Sequence, residues 1–267
     1  MLFRNDNPIE LLFILPVLLF SLSAHEFAHS LTAFKLGDTT QKKDGRLTLN
    51  PLKHIDWLGF VFLLFAGFGW AKPVMVDPQN FTRKNKEEEP IILEAYEEYH
   101  EKPAIVYEES MKHGMAVTAL MGPITNFALA VFSFFTLCFI FSLSAKNAHF
   151  GITEIFFGTA AFSGFEVLYQ SQISNIPKFS LLVLYQMVWY NLILGTFNLI
   201  PLPPMDGSKV FSAFLSAGSY FRFTAGGRVT SAILIILILT GAISYIIMPI
   251  IYIIFFALML VAEIMFL

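Results

Sequence analysis

The sequence predicts an all-α polytopic membrane protein, and three observations carry that prediction. Apolar side chains make up 56% of the 267 residues and charged ones 14%, with a mean hydropathy of +0.65; ordinary soluble domains average about 45–50% and about 25%. Several apolar runs reach the roughly 20 residues an α-helix needs to cross a bilayer. The polar stretches between them differ in basic charge, as loops on opposite sides of a membrane do. The chain reads as one integral membrane domain over 1–267. A net charge of −3 and a pI near 6.1, without any basic-aromatic pattern, give no reason to expect a nucleic-acid partner. The single Cys138 cannot form an intrachain disulfide and reads as a buried thiol.

The first run extends from Ile9 to Leu36 and reads as a retained span rather than a cleaved leader. Arg4 is balanced by Asp6, Leu22 is too large for the small position before a cleavage site, and the apolar pattern continues past the would-be cut. Lys35, Lys42, Lys43, Arg46 and Lys53 follow, which places the end of this span on the cytoplasmic side of the cell membrane. Trp57 to Trp70 is only fourteen residues long, four of them Gly or Ala, and reads as interfacial or re-entrant. Gly69 to Val76 is the candidate for a small β element.

Residues 82–114 form an acidic, lysine-sprinkled insert, expected to be a cytosolic helix or a partly disordered loop that could dock a regulatory partner. Met115 to Leu143 and Leu181 to Ile200 are long enough to cross; Ile152 to Gln170, carrying Glu154 and Glu166, reads as a non-crossing segment. Val229 to Leu267, interrupted by Gly241 and Pro249, is expected to form a C-terminal membrane hairpin, of two spans or of one span and a re-entrant piece. Trp57, Trp70 and Trp189 suit interface anchoring. His100, His113 and His149 have no partner pattern.

The chemistry is concentrated at residues 25–29, HEFAH, inside the first run. Ionisable groups at membrane depth cost about 2.5–3.5 kcal/mol each on insertion scales, so they mark function unless paired or metal-bound. On a helix His25 and His29 are four positions apart on one face, the spacing that clamps a tetrahedral zinc ion. Glu26, one step round the helix, is placed to take a proton from a water held by the metal. A catalytic zinc needs a third protein ligand. His54, Asp56, Glu94 and its acidic neighbours in 86–109, Glu154, Glu166 and Asp206 are the candidates. Asp206 stands out because it follows a span in NLIPLPPMDG, where three prolines strip donors from an unwound stretch of backbone. At membrane depth such backbone survives only beside protein or a water cavity.

Taken in order, HEFAH, GRLTLNPLKHID at 45–56, GWAKPV at 69–74, GPITN at 122–126 and NLIPLPPMDG at 198–207 resemble the site-2 protease family of intramembrane zinc metalloproteases, in its small bacterial and archaeal branch. The likeness covers most of residues 9–215. It implies a three-helix intramembrane catalytic core built from the spans near 9–36, 115–143 and 181–200, with additional spans around it. It also implies one zinc per chain held by His25, His29 and Asp206, with Glu26 as general base. Asn126 and Asn198 match polar positions that assist near the metal or the substrate; His54 is a further candidate for that role. The implied partners are the lipid bilayer and a transmembrane protein substrate. A helical substrate hides its peptide bonds in i to i+4 hydrogen bonds, so it must unwind before attack. The insert at 82–114 departs from the branch, which passes more directly from the NF segment to the next span.

Two other classes compete with a hydrolase. A metal or ion transporter would string its polar residues along several spans, whereas here they gather at one depth. A catalytically silent membrane-embedded binding protein would be expected to have lost Glu26 or a ligand, and all four residues are present.

Overall fold

A computed structural model of the chain describes residues 8–66, 69, 71–81, 102–144, 151–158, 163–215 and 227–266. Ten helices of four residues or more carry the described chain: α1 Pro8–Lys35, α2 Thr40–Lys43, α3 Trp57–Ala66, α4 Lys102–Ser144, α5 Ile152–Phe157, α6 Gly164–Gln170, α7 Asn175–Asn198, α8 Asp206–Ser212, α9 Gly227–Leu239 and α10 Ser244–Phe266. Among the described residues no strand forms; the only β pairing is an antiparallel bridge between Ile55 and Ala71. The fold is that of an all-α polytopic membrane protein.

Four helical stretches are long and apolar enough to cross a bilayer: Ile9–Lys35, Met111–Ser144, Asn175–Asn198 and Ser244–Met265. Two of them begin before the apolar runs that announce them. α4 starts at Lys102 and α7 at Asn175, because a helix continues for as long as its backbone bonds close, whatever its side chains face. The described part of the acidic insert is therefore continuous with the span, and residues 82–101 lie outside the described residues. The described helices of the short apolar stretches are too short to cross. α3 has ten residues, α5 six and α6 seven, against the roughly 20 that a span requires. In the C-terminal run, α9 has thirteen residues and α10 twenty-three. Between them the chain turns at Gly241, with the Ile243 amide donating to the Leu237 carbonyl at 3.1 Å.

The chain divides into two compact units. One comprises Leu22–Thr125 and Phe197–Ile243; the other comprises Phe3–Ser21, Asn126–Thr196 and Ser244–Leu267, and helices α1, α4 and α7 contribute a stretch to each. The second unit is held by an aromatic cluster. Phe255 lies with ring centroids 4.8 Å from both Phe156 and Trp189, and Phe156 is 5.3 Å from Phe134. Phe134 and Phe255 are fully buried. Cys138 is buried in this unit as a free thiol, as the apolar run around it predicts.

The same unit has a polar lock between helices. The Asn126 amide donates to Asn191 Oδ1 at 3.0 Å, and the Asn191 amide donates to Ser21 Oγ at 2.8 Å and to the Met187 carbonyl at 2.8 Å. The Gln186 amide donates to Glu10 Oε1 at 2.8 Å. In an apolar medium hydrogen bonds of this kind tie helices together at about 1–2 kcal/mol each at most. Asn191→Leu removes the hub and leaves Asn126 and Ser21 without it, so the thermal unfolding midpoint in detergent should fall, by the equivalent of about 1–3 kcal/mol. Asn126→Leu added to Asn191→Leu should cost little more, because both break the same bond.

Candidate metal centre

Every side chain of the HEFAH motif and the Asp206 stretch belongs to the first unit. α1 puts His25 and His29 one turn apart with rings at 87° and centroids 4.5 Å apart. α8 begins at Asp206, whose carboxylate sits in the first turn, where the helix dipole favours a negative charge. All three side chains are buried. Their ligand atoms meet: His25 Nε2 is 3.1 Å from Asp206 Oδ2, His29 Nε2 is 3.1 Å from the same oxygen, and the two Nε2 atoms are 2.9 Å apart.

This cluster fits a metal ion on a test of ring protons. His29 Nδ1 lies 2.7 Å from the Thr118 carbonyl. A carbonyl only accepts, so in the neutral ring Nδ1 donates and Nε2 presents a lone pair. With that proton committed, neutral imidazoles cannot satisfy all three contacts, whereas one cation at their focus can. Zinc ligands at about 2.0–2.1 Å in a tetrahedron stand about 3.3–3.4 Å apart, so the three atoms need to spread by only a few tenths of an ångström to hold the ion. Three protein ligands leave a fourth position for water or substrate.

The surroundings permit this approach because two residues lack a side chain. A Cβ on Gly122 of α4 would overlap the His29 ring and come within 2.6 Å of His25 Cε1. A Cβ on Gly207 would collide with the Leu199 carbonyl and lie 2.6 Å from the Ile200 oxygen. Only glycine lets the Pro-rich stretch fold back tightly enough to bring Asp206 to the histidines. That stretch includes a cis peptide between Pro203 and Pro204. The second carboxylate oxygen, Oδ1, accepts from Lys209 Nζ at 3.1 Å.

Glu26 is nearly buried, and its Oε2 accepts from the backbone amide of Val74 at 3.0 Å. Val74 lies in the extended stretch after Ala71, the candidate β element, which forms a bridge rather than a strand. His54 is buried nearby in the chain, with Nε2 2.8 Å from the Thr48 carbonyl. Its backbone carbonyl accepts from Lys72 N at 2.8 Å. Asn198 ends α7, and Asn126 belongs to the Asn191 lock of the other unit. Of the competing third ligands, His54, Asp56, Glu154 and Glu166 do not join the cluster; among the described residues only His25, His29 and Asp206 form such a group. Glu94 lies outside the described residues. Thr118 and Lys209 carry no sequence signal of their own, and Gly122 and Val74 are marked only as members of GPITN and GWAKPV, since each acts through proximity or backbone atoms.

Comparison with known proteins gives the family. The model of peptidase family M50 matches residues 13–243. The chain belongs to that family, the site-2 protease family. The Bacillus subtilis protein named "Putative zinc metalloprotease YwhC" is 30% identical over 245 residues, covering 91% of this chain and 87% of its own length. No solved structure matches. Membership makes this M50 chain a zinc metalloprotease of the membrane.

Ligand orientation can be tested through metal retention. Lys209→Met frees Asp206 Oδ1 and should weaken zinc retention about 10- to 100-fold in chelator competition, with Lys209→Arg close to wild type. Gly122→Val should lose the metal while far-ultraviolet circular dichroism remains helical.

Proposed function

We propose that the chain is an intramembrane endopeptidase of the site-2 type, cutting a transmembrane protein within or beside its membrane span. The observation that carries the reading is the meeting of His25, His29 and Asp206 atoms within 3.1 Å of one another, the histidines on a helix apolar enough to span and Asp206 at the start of the short α8, with Glu26 next to His25 in the chain. His25, His29 and Asp206 hold one zinc ion. When bound, zinc supplies Lewis acidity, polarising the scissile carbonyl and bringing the pKa of water toward about 7.

The rest of the chemistry belongs to the chain. Glu26 takes the proton of the attacking water and returns it to the leaving amine. The Val74 amide fixes Oε2 of Glu26 and leaves Oε1 for that transfer. Burial of the site excludes bulk water and strengthens each charge interaction within it. The extended stretch from Ala71 to Asp77, with Met75 71% exposed, offers backbone to an unwound substrate segment, which would pair with it as an added strand. Lys35, Lys42, Lys43, Arg46 and Lys53, following the HEFAH helix, put the site toward the cytoplasmic side of the cell membrane. Asn198 and His54 support the site from nearby backbone, and the insert at 82–114 is the place for a regulatory partner.

Metal content by mass spectrometry on detergent-purified protein tests the core of this reading. Wild type should hold about one zinc per chain and His25→Ala much less; Glu26→Gln should keep its zinc and lose cleavage of a membrane-span substrate by about 10³-fold or more. Equal cleavage by wild type and Glu26→Gln would end the protease reading in favour of a binding or transport role. Val76→Pro, which removes an amide from the extended stretch, should raise KM with kcat nearly unchanged if that stretch receives the substrate.

A further inference from the structure

A buried carboxylate outside the metal centre has no part in the chemistry so far. Asp38 follows α1 by three residues and is fully buried. Five donors converge on it. Oδ1 accepts from the Thr40 amide at 3.0 Å, the Thr40 hydroxyl at 2.6 Å and the Asn80 side-chain amide at 3.0 Å. Oδ2 accepts from the Gln41 side-chain amide at 2.7 Å and the Asp77 backbone amide at 2.9 Å. Burial would raise the Asp38 carboxyl, yet the Thr40, Gln41 and Asp77 hydrogen bonds hold it below its usual value. Only an ionised aspartate accepts on both oxygens at this length. Asparagine would turn a donor toward donors on one side or the other.

These bonds end on the stretch that carries Val74. Gln41 spends its other side-chain N–H on the Met75 carbonyl at 2.7 Å. On the opposite flank, Lys72 N donates to the His54 carbonyl at 2.8 Å, and Arg46 donates to the Lys72 carbonyl at 3.0 Å. Residues 72–77 are thus pinned on both sides of Val74, whose amide donates to Glu26 Oε2 at 3.0 Å. In an extended chain a slip of one residue turns the amide to the opposite face. The register of this stretch therefore decides whether Glu26 has its partner.

We infer that Asp38, acting through Gln41 and Asp77, is a positioning residue for Glu26: it sets the register in which the Val74 amide meets the carboxylate. The inference rests on Glu26 being the general base of the proposed protease. Asp38 touches neither substrate nor metal. Its loss acts on turnover by letting Glu26 Oε2 drift, and misplacement of about 1 Å costs on the order of 10²-fold.

Two readouts test it, one of them independent of catalysis. Zinc-loaded wild type, Asp38→Asn and Gln41→Leu are compared in detergent for hydrogen exchange of the 72–77 backbone and for kcat and KM on a membrane-span substrate. Both variants should speed exchange at Val74, lower kcat at least tenfold whatever happens to KM, and keep one zinc per chain. Glu26→Ala should speed the same Val74 exchange. Gln41→Leu, which leaves the Asp38 carboxylate in place, covers the case in which Asp38→Asn does not fold. Unchanged Val74 exchange, or a rise in KM at constant kcat, would overturn the inference. If wild type cuts no substrate, the protease reading fails by itself, while the exchange data still report whether Asp38 governs the contact between Val74 and Glu26.

Discussion

Three lone pairs directed at one point are the constraint on which the site depends. His25 Nε2, His29 Nε2 and Asp206 Oδ2 stand 2.9–3.1 Å apart, on three buried side chains. Without a cation such a focus is repulsive, and the cost of desolvating a carboxylate adds to it. Much of the local architecture serves to bear this. The Thr118 carbonyl selects the His29 tautomer, Lys209 shares the charge of Asp206, and glycines at 122 and 207 let three backbones approach where side chains would keep them apart.

The long helices divide their labour along their length. In α1, the stretch to Ser21 takes part in the unit of phenylalanines and asparagine bonds, and from Leu22 onward it belongs to the unit that holds the candidate ligands. α4 changes in the same way between Thr125 and Asn126. In GPITN, Gly122 therefore makes room for the histidines, while Asn126, four residues on, closes the lock with Asn191. One short motif holds two different jobs.

A good part of the site was legible because its chemistry has a fixed spacing. Histidines at i and i+4 share a helical face, and a carboxylate after a proline-rich stretch has few other reasons to be buried. Asp38 was less visible. In LGDTTQ it reads as an ordinary polar residue after a span, and nothing in the pattern tells that donors from residues 77 and 80 arrive at it. The β element expected at Gly69 to Val76 does not form a strand among the described residues; Ala71 makes one bridge to Ile55, and the stretch after it bonds instead to Glu26, Gln41 and Asp38.

The sequence by itself determined the membrane class, three of the four long apolar helices, the shared helical face of His25 and His29 and, through its motifs, the family. These depend on composition and on the period of one helix, both of which are local. Only the tertiary structure decided that Asp206 rather than His54, Asp56, Glu154 or Glu166 joins the histidines. It also decided that Asn126 faces Asn191, and that a backbone amide meets Glu26. Those choices depend on which distant segments approach within about 3 Å, and closeness of that kind is set by packing, not by spacing along the chain.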